Sequence, residues 1–120
     1  MLIAYISGSY RAREWNSFLT VIFYPFWIIY KWIQIAINIH RARVVAIKYW
    51  RAGYAVITPH SNTAFMDGSC SDKTWLEGDL EMVKRSDVIV MMEKWKKSEG
   101  AKSEFETAVK FKKEIIFEGV

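Results

Sequence analysis

Two carboxylates, Asp79 and Glu104, fall on helix faces that are otherwise apolar. Residues three or four apart share a helix face, and at this spacing both carboxylates lie among residues expected to face the core. The apolar residues on these faces are Trp75 or Leu76, Leu80 and Val83 beside Asp79, and Ala101, Phe105, Ala108 and Val109 beside Glu104. Each carboxylate is expected to line a cleft, to be paired with a residue such as Arg11 or a lysine, or to reach solvent from the border of the apolar stripe.

Two carboxylates in one cleft suit the cleavage of a bond at the anomeric carbon of a sugar. One group must be ionised, so that it attacks the carbon or stabilises the oxocarbenium-like centre. A second group helps to protonate the departing base. The two acidic side chains are therefore the first candidates for chemistry in this chain.

Strands and helices alternate along the chain and place these carboxylates on separate helices. Apolar, β-prone runs predict strands at 2–6, 54–58, 87–92 and 114–118. Periodic segments predict helices from Asn38 to Gly53, from Asp72 to Arg85, and from Ser98 onward, and the first residue of each is a candidate N-cap. This order predicts an α/β three-layer sandwich with a mostly parallel, Rossmann- or flavodoxin-like sheet of four to five strands.

Polar residues follow each of the first three predicted strands, in the segments 5–11, 58–62 and 93–100. Sheets of this kind bind ligands beyond the carboxyl ends of their strands, where the strand order reverses. We therefore expect the site at that edge. His60 ends the second strand, where it either contacts a ligand or has a structural role.

Four segments carry a family resemblance: "YISGSYR", "NIHRARVVAIKYWRAGYAVITPH", "GDLEMVKRSDVIVM" and "SEGAKSE". In this order they resemble the nucleoside 2-deoxyribosyltransferase superfamily, and especially its small nucleoside 5′-monophosphate N-glycosidases. The resemblance extends to small phage and bacterial members and covers nearly the whole chain except residues 12–37. It implies an enzyme without a metal or redox cofactor that acts on a nucleoside or nucleotide and assembles as a homo-oligomer.

The resemblance also implies a role for each matching residue. Glu104 would be the nucleophile that forms a covalent glycosyl-enzyme intermediate, Asp79 would assist the leaving base, and the hydroxyl of Tyr5 would orient the nucleophile. The remaining matches are Gly8, Ser9 and Arg11 around the sugar and 5′-phosphate, Ser98 near that phosphate, and Gly100 in the signature that ends at Glu104.

Composition limits the remaining function classes. The 120 residues, 52% hydrophobic and 25% charged, are expected to form one folded domain over 1–120. The net charge of +4 is spread along the chain, which favours small anions at least as much as nucleic acid, and no nucleic-acid recognition motif is visible. The single Cys70 and the absence of a signal-peptide pattern at the start indicate the cytoplasm.

An apolar, aromatic insertion occupies residues 12–37, after the first strand. Pro25, Lys31 and Gln34 interrupt it, and one membrane crossing would separate strand one from its own sheet. Three readings remain: a self-association surface, which is the first expectation, a membrane-surface anchor, or a substrate lid. Trp15, Trp27 and Trp32 suit either of the first two.

The sequence thus leads to two hypotheses of different kinds. The first is an N-glycosidase or deoxyribosyltransferase that acts on a nucleoside or its 5′-monophosphate. The second is a non-catalytic nucleotide-binding or scaffolding protein that assembles, or attaches to a membrane surface, through the insertion.

Overall fold

A four-stranded, fully parallel sheet forms the centre of the molecule in the computed structural model, which describes residues 1–11 and 17–119. The strands are β1 (Ile3–Ser7), β2 (Ala55–Ile57), β3 (Val88–Met91) and β4 (Glu114–Phe117), in the spatial order β2-β1-β3-β4. This is the order in which a doubly wound sheet of the flavodoxin type begins. The predicted α/β class and parallel sheet are confirmed.

Helices cover both faces of this sheet. Those described are α1 (Ser17–Ile22), α2 (Tyr24–Arg51), α3 (Pro59–Asn62), α4 (Asp72–Arg85) and α5 (Glu99–Lys110), with a short 3₁₀ turn at Trp95–Lys97. Successive residues of a strand point to opposite faces, so β1 contributes to two cores. Ala4 and Ile6 pack in one core with α2, and Tyr5 packs in the other with α4 and α5. These three layers confirm the predicted sandwich.

The strand β3 is buried along its whole length, as its unbroken apolar run predicts. It lies between β1 and β4, and its four residues pair in parallel with both neighbours. Its two faces supply alternate residues to the two cores. The central pair β1–β3 is therefore the rigid base from which the following loops leave the sheet.

The helix predicted to begin at Asn38 begins much earlier, at Tyr24, and is 28 residues long. Pro25 lies in its first turn, where the missing N–H group has no helical partner to lose. In the described part of the insertion, residues 17–22 form α1 and residues 24–37 belong to α2, with a turn at Phe23 between them. Trp15 lies outside the described residues. The predicted end of the helix is correct, because Gly53 follows it with a positive φ of 96°.

Two further details differ from the sequence prediction. The N-cap of α4 is Ser71, whose Oγ accepts from the Thr74 N–H at 3.2 Å, so Asp72 is the first helical residue and not the cap. Val109 is 53% exposed instead of facing the core. Each residue turns about 100° around a helix, which places Val109 beyond the edge of the buried stripe formed by Ala101, Glu104 and Ala108.

None of the helices in the described ranges has an apolar stretch that is long enough to cross a lipid bilayer.

Candidate active site

Glu104 is a buried carboxylate whose two oxygens both accept hydrogen bonds from β1. It is 5% exposed, on the inner face of α5. The hydroxyl of Tyr5 donates to Oε2, and Ser7 Oγ donates to Oε1 at 3.0 Å. Tyr5 and Ser7 are two residues apart in a strand, so both side chains point to the α5 side of the sheet. This geometry fixes the position and orientation of the carboxylate.

Asp79 is the second acidic group of the site and approaches from α4. It is partly buried, and burial raises the pKa of its carboxyl from 3.8 to about 6. Its charge acts on both Glu104 and Tyr5, raising the pKa of each. The three groups therefore form one electrostatically coupled cluster, assembled from one strand and two helices.

Burial raises the pKa of Glu104 from 4.5 to about 7, because it removes water from the charged form. The hydrogen bonds from Tyr5 and Ser7 lower the pKa, while the nearby charge of Asp79 raises it. Near neutral pH the carboxyl thus exchanges between ionised and protonated forms. Burial also raises the pKa of Tyr5 well above its usual value, which keeps its hydroxyl a hydrogen-bond donor.

The cluster lies where the connections leaving β1 and β3 diverge. From β1 the chain continues into α2 on one face of the sheet, and from β3 it continues into α5 on the other. Such a switch point opens a crevice at the carboxyl ends of two adjacent parallel strands. Ser7 ends β1 and Met91 ends β3, and the two residues pair in the sheet register. The carboxylates thus lie at the expected binding position of this fold.

The loop after β1 is held close to the sheet at Gly8. A Cβ atom at this position would lie 2.8 Å from Met92 Sδ and 2.9 Å from Met92 Cβ. The resemblance implies that Gly8 lies near the sugar and 5′-phosphate, and the structure shows that a core methionine, Met92, also lies against this position. Glycine is needed here for packing, and this packing brings the following loop to the mouth of the crevice.

His60 supports the same loop from α3. It is 3% exposed, and its Nε2 lies 3.0 Å from the backbone oxygen of Ser9, which can only accept, so Nε2 carries the hydrogen. Burial lowers the pKa of His60 and favours the neutral ring, although the backbone oxygens of Ser9 and Gly8 partly oppose this. Nδ1 is buried and has no hydrogen-bond partner among the described residues.

Arg11 and Asp72 form an exposed ion pair at the rim of the site. Arg11 Nη1 donates to Asp72 Oδ2 at 3.2 Å, which links the loop after β1 to the first turn of α4. Asn38 Nδ2 lies 3.2 Å from the backbone oxygen of Tyr10 and 3.4 Å from that of Arg11. Asn38 therefore holds this loop from the middle of α2, instead of capping a helix as its residue type suggested.

The N-terminus of α5 is open at Gly100. The Oγ of Ser98 accepts from the Ala101 N–H at 3.2 Å and so caps the helix, as predicted. Among the described residues, apart from its chain neighbours and the backbone of its own helix, a Cβ atom at Gly100 would have only Ser98 Oγ within 4 Å, at 3.8 Å. The first turn is therefore accessible, and N–H groups at a helix N-terminus favour an anion.

Sequence reasoning missed Ser7 and Asn38. Ser7 lies two residues after Tyr5, one position beyond the predicted strand 2–6, and extending that strand by one residue would have placed its hydroxyl beside the same carboxylate. For Asn38 there was no comparable signal, because the backbone oxygens that its Nδ2 contacts lie 28 and 27 residues earlier in the chain.

A separate open cavity of about 610 Å³ lies between the turn that precedes α5, the first half of α5 and the end of β4. An aromatic cluster of Trp95, Phe105 and Phe117 lines it, with ring centroids 4.7–6.2 Å apart. Neither Asp79 nor Glu104 is among its lining residues. Within the described ranges, no cluster of three or more His, Cys, Asp or Glu side chains could hold a metal ion.

A family model described as "Domain of unknown function (DUF4406)" matches residues 38–117. The match covers two thirds of the chain, from the middle of α2 to the end of β4, and the chain belongs to this family. Asp79, Ser98 and Glu104 fall within the matched region, whereas Tyr5 and Ser7 precede it. No curated protein matches the chain.

Proposed function

We propose that the protein cleaves the N-glycosidic bond of a nucleoside or nucleoside 5′-monophosphate, or transfers its sugar, through a covalent intermediate on Glu104. The observation that carries the proposal is the arrangement around Glu104. A buried carboxylate with both oxygens held by Tyr5 and Ser7 lies in the field of a second carboxyl group, Asp79. A nucleophile fixed in this way loses little freedom on reaching the transition state.

In the first step, an ionised oxygen of Glu104 attacks C1′ of the sugar. The C1′–N bond breaks, its electron pair moves to the nitrogen of the base, and protonated Asp79 supplies the proton that the base gains. Because burial raises the pKa of Asp79 to about 6, a protonated fraction is present near neutral pH. The products of this step are a free base, an ester between the sugar and Glu104, and ionised Asp79.

In the second step, water attacks C1′ of the ester and Glu104 leaves as a carboxylate. Asp79 takes up the proton that the water loses, which restores the starting state and releases the free sugar or sugar phosphate. If the nitrogen of another base attacks instead, the result is transfer. Tyr5 remains neutral throughout because its pKa is raised well above the usual value, so it can donate to the carboxylate whenever Glu104 is ionised.

Two further features support a substrate that carries a phosphate. The open first turn of α5 at Gly100 offers N–H groups, and Arg11 contributes a guanidinium at the rim of the site. The resemblance of "YISGSYR" and "SEGAKSE" to the 5′-monophosphate N-glycosidases supports the same substrate class. Arg11 would exchange its exposed bond with Asp72 for the phosphate, since an exposed ion pair is weak.

The test is to incubate the purified protein with a panel of deoxyribonucleosides, ribonucleosides and their 5′-monophosphates and to detect free base by chromatography. Glu104→Gln should abolish base release. Glu106→Gln is the matched control, because Glu106 is exposed on the same helix and should tolerate the change. Incubation with a 2′-deoxy-2′-fluoro nucleotide analogue, followed by mass spectrometry, should show an adduct in the unchanged protein and none in Glu104→Gln.

The competing hypothesis gives a different result in the same experiment. If no substrate yields base or adduct, but a nucleotide raises the melting temperature of the protein, the chain binds nucleotides without turnover. If Glu104→Gln retains full activity, the nucleophile assignment is wrong.

A further inference from the structure

The helices α1 and α2 present a long apolar surface on the side that faces away from the sheet. We call this surface the outer face and define it by the exposed residues Phe18, Val21, Phe26, Ile29, Ile33 and Ile37. Their exposed fractions run from 40% for Ile37 to 77% for Val21. Contiguous apolar surface of this kind marks a site of contact with a protein or a membrane.

On α2 the apolar residues form one stripe along the helix. Phe26, Ile29, Ile33 and Ile37 are separated by three or four residues, and Val44 and Ile47 continue the same line beyond the exposed His40. Asn38, Ala42 and Ala46 lie on the opposite side of the helix, where they are buried. From Phe26 to Ile47 the stripe is about 30 Å long, at about 1.5 Å per residue.

Cationic and aromatic side chains lie on the flanks of this stripe. Arg41 and Arg43 are exposed and, at about 100° per residue, lie on opposite sides of the line through Ile33 and Val44. Trp50, 55% exposed, lies on the Arg43 side. The sequence from 15 to 66 contains five Lys or Arg residues and no Asp or Glu. One of these five, Lys48, is paired with Glu118. No carboxylate in α1 or α2 lies beside Arg41 and Arg43, so the outer face combines an apolar centre with positive charge on its flanks.

We propose that the outer face binds the surface of an anionic lipid bilayer, with α2 lying parallel to the membrane plane. The apolar stripe would enter the boundary between headgroups and acyl chains, and Arg41 and Arg43 would reach lipid phosphates or carboxylates on either side. Trp50 would lie at the headgroup level, where amphipathic aromatic rings are favoured. The proposal concerns a surface remote from Glu104 and does not depend on the proposed activity.

The charges favour a membrane over a second copy of the chain. Two copies that met through their outer faces could bury the apolar stripes. However, they would contribute only cations to the contact, because α1 and α2 contain no carboxylate. Anionic lipids supply the missing negative charge together with an apolar phase, so one partner satisfies both features.

The test is flotation with vesicles of pure phosphatidylcholine and with vesicles that contain about one third phosphatidylserine. The unchanged protein should float with the anionic vesicles and much less with the neutral ones. Arg41→Gln with Arg43→Gln should weaken binding to anionic vesicles by about 30-fold, at about fivefold for each lost cation. Lys84→Gln with Lys110→Gln removes the same net charge from exposed positions on α4 and α5 and should change binding much less.

A second pair of variants tests the apolar contribution. Ile29→Ser with Ile33→Ser should reduce binding by about tenfold or more. Val109→Ser is the control, because Val109 is 53% exposed, almost the same as Ile33 at 54%. All the substituted residues are exposed, so circular dichroism should show an unchanged fold.

Two results would overturn the proposal. One is the absence of preference for anionic vesicles, or an equal loss of binding in the two arginine and lysine double variants. The other is a stable dimer in sedimentation experiments without lipid that Ile29→Ser with Ile33→Ser dissociates, which would assign the outer face to a second copy.

Discussion

The hydroxyl of Tyr5 donates a hydrogen bond to the carboxylate of Glu104, 99 residues further along the chain. This bond joins the central strand β1 to the inner face of α5, and Ser7 adds a second bond to the other oxygen. A carboxylate buried to this extent would otherwise remain largely protonated, since burial disfavours its charged form. The two hydroxyl groups therefore keep an acidic group partly ionised inside the protein.

Removing the hydroxyl of Tyr5 should slow base release and raise the pKa of Glu104. In Tyr5→Phe the ionised carboxylate loses a donor, and we expect kcat to fall by about 100-fold, with a smaller change in KM. Steady-state kinetics across a pH series would measure both effects. Tyr54→Phe is the control, because Tyr54 contacts Tyr49 in the core on the opposite side of the sheet. An unchanged kcat in Tyr5→Phe would contradict the assigned role.

Ser7→Ala should also slow base release, by a smaller factor than Tyr5→Phe. It removes the 3.0 Å bond to Glu104 Oε1 but leaves the bond from Tyr5. Because the two donors share one acceptor group, the double variant should lose less activity than the product of the two single losses. A double-mutant cycle on kcat/KM measures this coupling, and strictly multiplicative losses would show that the two hydroxyls act independently.

The pH dependence of kcat/KM should be bell-shaped, with apparent pKa values near those of the two carboxyl groups. Burial raises the pKa of Asp79 to about 6 and that of Glu104 to about 7, and the reaction needs one group protonated and the other ionised. The optimum should therefore lie between the two values. Asp79→Asn should lower the apparent pKa of Glu104, because the charge of Asp79 raises it. A flat profile from about pH 5 to about pH 8 would contradict this assignment.

The buried carboxyl of Glu104 should also make folding stability depend on pH. Its pKa is raised from 4.5 to about 7 in the folded protein, so the folded state binds the proton more tightly than the unfolded state. This stabilisation is complete below pH 4.5 and is lost as the pH rises through 7. At about 1.4 kcal/mol for each tenfold change in proton affinity, the loss is about 3 kcal/mol.

Urea unfolding at about pH 4.5 and about pH 8 measures this effect. Glu104→Gln does not titrate, so its free energy of unfolding should lack this part of the pH dependence and exceed that of the unchanged protein at the higher pH. Glu106→Gln, at an exposed position on the same helix, should keep the original dependence. If the free energy of unfolding changed with pH in the same way for all three proteins, the pKa of Glu104 would not be raised by folding.

Gly8 and Gly100 should respond in opposite ways to alanine. Gly8→Ala forces a methyl group against Met92 and should lower the free energy of unfolding by about 1–3 kcal/mol. The double variant Gly8→Ala with Met92→Ala should lose less stability than the sum of the losses in the two single variants. In Gly100→Ala the nearest described atom outside the local helix backbone is Ser98 Oγ at 3.8 Å, so the change should stabilise α5 by about 0.5–1 kcal/mol. Thermal unfolding measures both changes. A rise in KM for Gly100→Ala, despite its higher stability, would support ligand contact at that turn.

The strands and their order along the chain follow from local pattern, which is why the sheet was predictable. β3 is a continuous apolar run, and such a run needs burial on both faces wherever it is placed. The start of α2 was not predictable in the same way. Asn38 suits a helix cap, but in the middle of α2 its side chain donates to the backbone oxygens of Tyr10 and Arg11 and accepts from Gln34 Nε2. Hydrogen bonds between residues this far apart in the chain produce no periodic pattern in the sequence from which the helix boundary could be predicted.

The residues of the candidate site also differ in how far the sequence pattern could identify them. Glu104 and Asp79 could be found because a charge on an apolar helix face conflicts with local pattern. The role of Gly8 could not be assigned, because a glycine in a turn does not show whether a ligand or a methionine lies against it. His60 shows the same difficulty, since its partner is a backbone oxygen 51 residues earlier in the chain.

The helix α2 carries both the outer face and Asn38, whose side chain donates hydrogen bonds to the loop after β1. A helix of this length transmits a small tilt or axial rotation along its whole span. A contact at Phe26 or Ile33 that tilts or rotates α2 would therefore also move Asn38, which is bonded to the backbone oxygens of Tyr10 and Arg11. A displacement of α2 at the outer face would therefore also displace the loop after β1, which lies beside the candidate site.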